Sequence, residues 1–217
     1  LNSTTTDFIY IYDTLADASI SGNQLLYTYG GVIENVAAPA PALVFNYKNR
    51  VIVVPSENRT SFQYSKANLE GQPIAFTDSF TQNIDPTGGD ISAGIQMDDK
   101  MLLFKESYVM YTTGDGPTDT GQANDFAPAQ IITSDTGCSN PRSLVFMPLG
   151  VMFKSPKGIY MITRGLQVQY IGAPVERYND LTITSAILVP KVNEVRFLTL
   201  EGPTLVYDYF MDQWGTD

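Results

Sequence analysis

The chain has 217 residues, 23 acidic against 13 basic side chains, a formal net charge of −10, no histidine and a single cysteine. Without imidazole there is no Ser-His-Asp or Cys-His catalysis and no His-ligated zinc, and a lone Cys138 allows neither an internal disulfide nor a CxxC site. With 43% hydrophobic and 17% charged residues the chain is too apolar for a disordered segment, and its acidic balance opposes surfaces that grip nucleic-acid phosphates or anionic lipid.

Residues 1–40 stand apart from the rest. Phe8-Ile9-Tyr10-Ile11-Tyr12 reads as a strand, Leu25–Tyr29 as a second that ends at Gly30-Gly31, and Ala37-Ala38-Pro39-Ala40-Pro41 has the composition of a linker. The stretch is expected to be the exit of a preceding module with a closing strand, in a chain excised from a longer one.

From residue 41 onward a repeat appears. Four segments share one grammar of apolar strand, tight polar turn and apolar strand: 43–54, 93–104, 143–153 and 187–198. Turns this short join antiparallel neighbours. A third strand follows each, at Arg59–Ser65, Tyr108–Thr112, Gly158–Thr163 and Thr204–Tyr209. Fourth strands are expected at Gln72–Phe80, Ala129–Ser134 and Gln167–Ile171, and a short helical turn near Asn68-Leu69-Glu70. The ending Leu205–Trp214 reads as a unit interrupted part-way.

Val51, Met101 and Val151 are spaced by 50 residues each, and Val195 follows 44 residues later. A period of about 40–50 residues with three or four strands per unit is that of propeller blades. The middle strands Val51–Val54, Met101–Phe104 and Val151–Phe153 are apolar without alternation, which requires sheets covered on both faces. The expected fold is therefore all-β, a β-propeller of three- to four-stranded antiparallel blades, either a ring closed by these four blades or an incomplete ring within a larger chain. The blades fall at about 41–90, 91–139, 140–182 and 183–217. No apolar run approaches the roughly 18 residues of a membrane-spanning helix, and no membrane partner is expected.

No residue carries a catalytic signature, and no catalytic, cofactor-binding or metal-binding residue is assigned. Two acidic, glycine-rich loops, 115–125 and 85–90, have oxygen donors suited to a hard cation such as Ca²⁺, but neither has EF-hand spacing, and turn chemistry alone accounts for their Asp, Gly and Pro. Ser134-Asp135-Thr136-Gly137 begins like a sialidase Asp-box and then departs from it at Cys138-Ser139-Asn140. Asp7, Asp13, Asp98-Asp99 and Asp180 are the carboxylates available for glycosidase chemistry, and Asp98-Asp99 falls at a hairpin turn. Cys138 has only Arg142 near it in sequence to activate a thiolate and reads as a small core residue. Tyr10, Tyr12, Tyr27, Tyr29, Tyr207, Tyr209 and Trp214 read as packing between sheets rather than as a ligand surface. Asn2-Ser3-Thr4 and Asn58-Arg59-Thr60 match the glycosylation sequon.

Several phrases, taken in order, carry a resemblance: LLYTYGGVIEN at 25–35, GIQMDDKMLLFKESYVMYTTG at 94–114, TSDTGCSNPR at 133–142, GVMFKSPKGIYMITRGLQVQYIGAPV at 150–175 and the closing LVYDYFMDQW. Together they resemble β-propeller regions of bacteriophage virion proteins, the tail-hub or packaged-DNA stabilisation proteins and tail-nozzle proteins of short-tailed phages. The resemblance implies a structural protein of a phage tail or head-tail connector and a homo-oligomeric ring. It also implies contacts with other virion tail or connector proteins, passive contact with DNA in a channel, and a place in the virion after assembly in the bacterial cytoplasm. It implies no enzyme, no catalytic residue and no cofactor. A receptor- or glycan-binding propeller and a glycan-cleaving enzyme are the alternatives.

Overall fold

The computed structural model describes Thr14, Ala16, residues 31–122 and residues 125–217. The chain divides between Val32 and Ile33, and the architecture below is that of the unit Ile33–Asp217. The strands expected at Phe8–Tyr12 and Leu25–Tyr29, the residues Asp7, Asp13, Tyr10, Tyr12, Tyr27 and Tyr29, and the sequon at Asn2 lie outside the described residues.

This unit is all-β: four four-stranded antiparallel sheets, each a simple meander in chain order. The first holds β1 (Pro41–Tyr47), β2 (Arg50–Pro55), β3 (Ser61–Tyr64) and β4 (Thr81–Asn83). The second holds β5 (Ala93–Met97), β6 (Lys100–Phe104), β7 (Val109–Thr113) and β8 (Gln130–Thr133). The third holds β9 (Val145–Met147), β10 (Gly150–Ser155), β11 (Gly158–Thr163) and β12 (Val168–Tyr170). The fourth holds β13 (Ile183–Val189), β14 (Glu194–Thr199), β15 (Thr204–Asp208) and β16 (Gln213–Thr216). Three short 3₁₀ turns, at Pro141–Ser143, Ala173–Tyr178 and Pro190–Val192, are the helical elements among the described residues.

The hairpins follow from local chemistry. β-Branched and aromatic residues favour the extended chain, and polar residues that tolerate positive φ reverse it. Asp98 at φ 54° turns β5 into β6, and Asn193 at φ 60° leads into β14. Gly150, at φ 152°, opens β10 where an added Cβ would overlap the backbone of Ile162, so only glycine fits.

The sheets pack face to face. Tyr47, Ile52, Val54, Phe62 and Tyr64 of the first meet Met101, Leu103 and Met110 of the second. Leu102, Phe104 and Val109, on the opposite face of the second sheet, meet Val151, Phe153 and Ile162 of the third. Met152, Ile159 and Met161, from the third sheet's other face, meet Val195, Phe197, Leu205 and Tyr207 of the fourth. Successive residues of β6 and β10 thus serve different cores, which is why these strands are apolar without alternation. Phe62, Phe104, Phe153 and Phe197 are fully buried, and truncating any one to alanine should cost about 3–5 kcal/mol. First strands also adjoin, β1 against β5 and β9 against β13.

Two features differ from the sequence reading. Gln72–Phe80 is not the fourth strand of the first sheet: β4 is Thr81–Asn83, and Phe76 forms an isolated bridge to Val36. Gly71 at φ 77° and Pro73 keep the preceding stretch out of a ladder, and Leu69–Gln72 forms a single turn in which the Gln72 N–H donates to the Leu69 carbonyl at 3.0 Å. The last sheet is not interrupted, because β16 pairs with β15 from Leu205–Thr216 to Asp208–Gln213. Ahead of β1, Ile33 N–H donates to the Asp119 carbonyl and Val36 N–H to the Phe76 carbonyl, and the Ala40 carbonyl accepts from the Ser56 N–H, each at 2.9 Å.

Candidate functional site

The two acidic loops are each organised around a cation supplied by the chain. Arg50, at the start of β2, is 7% exposed. Its Nε donates to the Asp115 carbonyl at 2.7 Å, its Nη1 to the Ser65 carbonyl at 2.7 Å, and its Nη2 to the Pro117 carbonyl. Its guanidinium carbon also lies 5.7 Å from the centre of the Tyr64 ring. Lys48, in the turn before it, pairs with the Asp115 carboxylate and donates to the Gly114 carbonyl at 3.0 Å. Carbonyls turned inward around a guanidinium are the donor set a Ca²⁺ ion would otherwise want, and here Arg50 already uses them.

The 85–90 loop repeats the device. Lys105, directly after β6, is fully buried. Its Nζ donates to the Asp85 carbonyl and, at 2.9 Å, to the Thr87 carbonyl. Burial pulls its pKa below the ordinary lysine value, opposed by the charges of Asp85 and Asp90. The Asp85 carboxylate accepts from the Thr87 N–H at 2.7 Å, and its pKa is lowered chiefly by Thr87, then by Lys105. Among the described residues, no three His, Cys, Asp or Glu side chains gather as a metal site.

The remaining described candidates are structural in their surroundings. Asp98 pairs with Arg164, across from the second sheet to the third, and Asp99 pairs with Lys100 at 2.7 Å. Cys138 is fully buried, and burial raises its pKa against the lowering effect of a 3.3 Å contact with the Ser143 hydroxyl. The Tyr207 and Trp214 rings are tilted against each other with centres 5.0 Å apart, and the Trp214 indole N–H donates to the Ile171 carbonyl at 2.8 Å. Tyr209 hydroxyl and Asn193 Oδ1 lie 3.3 Å apart. The Asn58 side chain of the second sequon accepts from both the Thr60 N–H and the Thr60 hydroxyl, closing a local turn.

A cleft of about 640 Å³ opens between the outer strands β4 and β8, where the first two sheets diverge. Tyr64, Met110 and Phe126 form its inner wall; Gln82, Asp85 and Asp125 lie among its polar lining. Tyr64 and Phe126 are edge to face, ring centres 4.7 Å apart. The Gln82 amide donates to the Ala127 carbonyl at 3.2 Å, tying β4 to the approach of β8. Tyr64 and Asp125 are 61 residues apart in the chain, and no local motif signals their meeting. What the sequence does show is an aromatic at the end of β3 and a carboxylate at the close of the acidic loop.

No protein-family model matches the chain, and no curated protein matches it. The fold and its sites define a class by construction alone: an all-β protein of four consecutive antiparallel sheets packed face to face.

Proposed function

We propose that the four sheets are blades of a β-propeller and that the chain is a scaffolding module of a phage tail or head-to-tail assembly, acting as part of a ring or conduit. The observation that carries this reading is the two-faced packing. Each inner sheet gives one face to the sheet before it and the other to the sheet after it, while first strands adjoin at β1–β5 and β9–β13. Strands that converge on one side and diverge at β4 and β8 on the other suit blades set around an axis. Such a stack is stiff, and its loops are free to vary in length for contacts with neighbours. The ordered phrases that resemble phage virion propellers supply the assembly. A net charge of −10 suits a conduit wall that repels passing DNA rather than holding it.

Electron microscopy of the full-length protein, alone and in particles, tests this. A radial array of sheets placed in a tail or connector ring is the expected result. Sheets stacked in a line, or a protein missing from the particle, would overturn it.

A further inference from the structure

The sheets pack by one rule, and the rule leaves two faces open. Alternate residues of a strand point to opposite faces of its sheet. Phe45 pairs with Ile52 across β1 and β2, and both face the second sheet; Val44 pairs with Val53, and both face the other way. In the fourth sheet, Ala186 pairs with Phe197 and faces the third sheet, while Ile187 pairs with Arg196 and faces outward. Between the first two sheets, Phe45 lies over Gly94 of β5, which pairs with Leu103. Ile52 and Arg196 are each the third residue of their strand, and Val53 and Leu103 each the fourth. By register, therefore, Ile187 is the counterpart of Phe45, and Val44 is the counterpart of Gly94.

Phe45 and Gly94 cover each other and are only partly exposed. Ile187 and Val44 are each 52% exposed, and Leu198, on the outward face of β14, is 41% exposed. A chain that closed on itself would bring Ile187 onto Val44 and cover both. The outward face of the fourth sheet thus fits a face of the kind that the first sheet presents. Charge permits the match. Val44, Asn46, Val51 and Gln63 lie on the outward face of the first sheet, and none is charged. Glu194 and Asp217, which hold Arg196 on the fourth sheet, therefore meet no like charge from them.

We infer that the chain associates head to tail with a second copy of itself, the outward face of the fourth sheet packing on the outward face of the first, Ile187 against Val44. A contact between two different faces closes into a ring when the rotation allows. Four sheets from each of two copies make about eight, within the range of propeller blades. The inference deepens the ring proposed above and rests on that reading for closure into a dimer.

The test is sedimentation of the full chain over a concentration series, joined to cross-linking. A dimer is expected. Ile187→Lys and Val44→Lys should each weaken it at least about tenfold, because each places a charge in an apolar contact, with the far-ultraviolet circular dichroism of the wild type retained. Leu200→Lys, in the exposed β14–β15 turn, should leave it unchanged. With a short bis-maleimide, Ile187→Cys mixed with Val44→Cys should give a cross-linked pair, and neither variant should do so alone; Cys138 is fully buried. A monomer at every concentration, equal weakening by Leu200→Lys, or cross-linking of Ile187→Cys with itself would overturn the proposal. So would a cross-link confined to one chain in the double cysteine variant, which would mean closure without a second copy. Absence of the protein from phage particles would sink the tail reading and leave this contact standing.

Discussion

The ring of Phe45 on β1 lies directly over Gly94 on β5: a Cβ added at Gly94 would come within 2.5 Å of Phe45 Cζ. The first two sheets therefore approach as closely as they do because position 94 has no side chain. Phe45 is packed against the cluster that joins them.

This contact yields a coupling test. Gly94→Ala should destabilise the protein by about 1–3 kcal/mol through overpacking. Phe45→Leu makes room for the new methyl group, so the double variant should lose less than the sum of the two single losses. Chemical denaturation of the four proteins closes the cycle. Simple additivity would show that the two first strands do not press on each other in solution.

Arg50 should prove irreplaceable by lysine. A guanidinium reaches three carbonyls in a fixed fork, whereas an ammonium is a single point on a flexible stem. Arg50→Lys is expected to cost about 2 kcal/mol and Arg50→Met about 3–5 kcal/mol, because the buried carbonyls of Ser65 and Pro117 and the partly buried one of Asp115 lose their donors. Limited proteolysis should then cut first within 115–125, the loop that the guanidinium holds.

Calcium should leave the melting temperature unchanged. Lys105 and Arg50 already occupy the inward-facing carbonyls of the two acidic loops, and a ligand stabilises only a state to which it binds. Thermal unfolding with calcium and with a chelator is the measurement. A rise with calcium in the wild type would refute the occupied-carbonyl account. In Lys105→Met the loop carbonyls at 85 and 87 become free, which makes that variant the sensitive comparator.

Alkaline pH should unfold the protein through its buried tyrosines. Tyr207 is 3% exposed, and its hydroxyl donates to Asp212 at 2.7 Å. Burial first, and then the Asp212 hydrogen bond and charge, raise its pKa far above that of a free tyrosine. Burial also raises Tyr47 and Tyr64. With folded pKa values above the unfolded one, the unfolded state releases its protons first. The stabilisation is thus complete below pH 10.0 and is lost as pH climbs toward the folded values. Spectrophotometric titration should show a late tyrosine class that ionises together with unfolding. Tyr207→Phe should flatten the alkaline limb of the stability curve.

Much of this architecture is legible locally. The spacing of Val51, Met101 and Val151 marks equivalent second strands in β2, β6 and β10, since a meander repeats its hairpins at fixed intervals. The lack of alternation in Met101–Phe104 announces two buried faces, and both exist. The fourth strand of the first sheet is not legible, because β4 is three polar residues, TQN, of which only Thr81 favours the extended chain. Its pairing with β3 decides it. Likewise the loop 115–125 shows its acidity plainly, but not that a guanidinium from β2 fills it.

The amino-acid order by itself determined what short-range physics controls: extended segments where β-branched and aromatic residues run, reversals where Asp, Asn and Gly accept positive φ, and the interval between hairpins. Tertiary structure alone decided which polar groups meet. Arg50 finds Asp115 and Lys105 finds Thr87, because hydrogen bonds between residues far apart in the chain depend on how the sheets stack. Hydrophobic patterning specifies that the sheets stack, while the side chains at their edges specify what each loop is closed around.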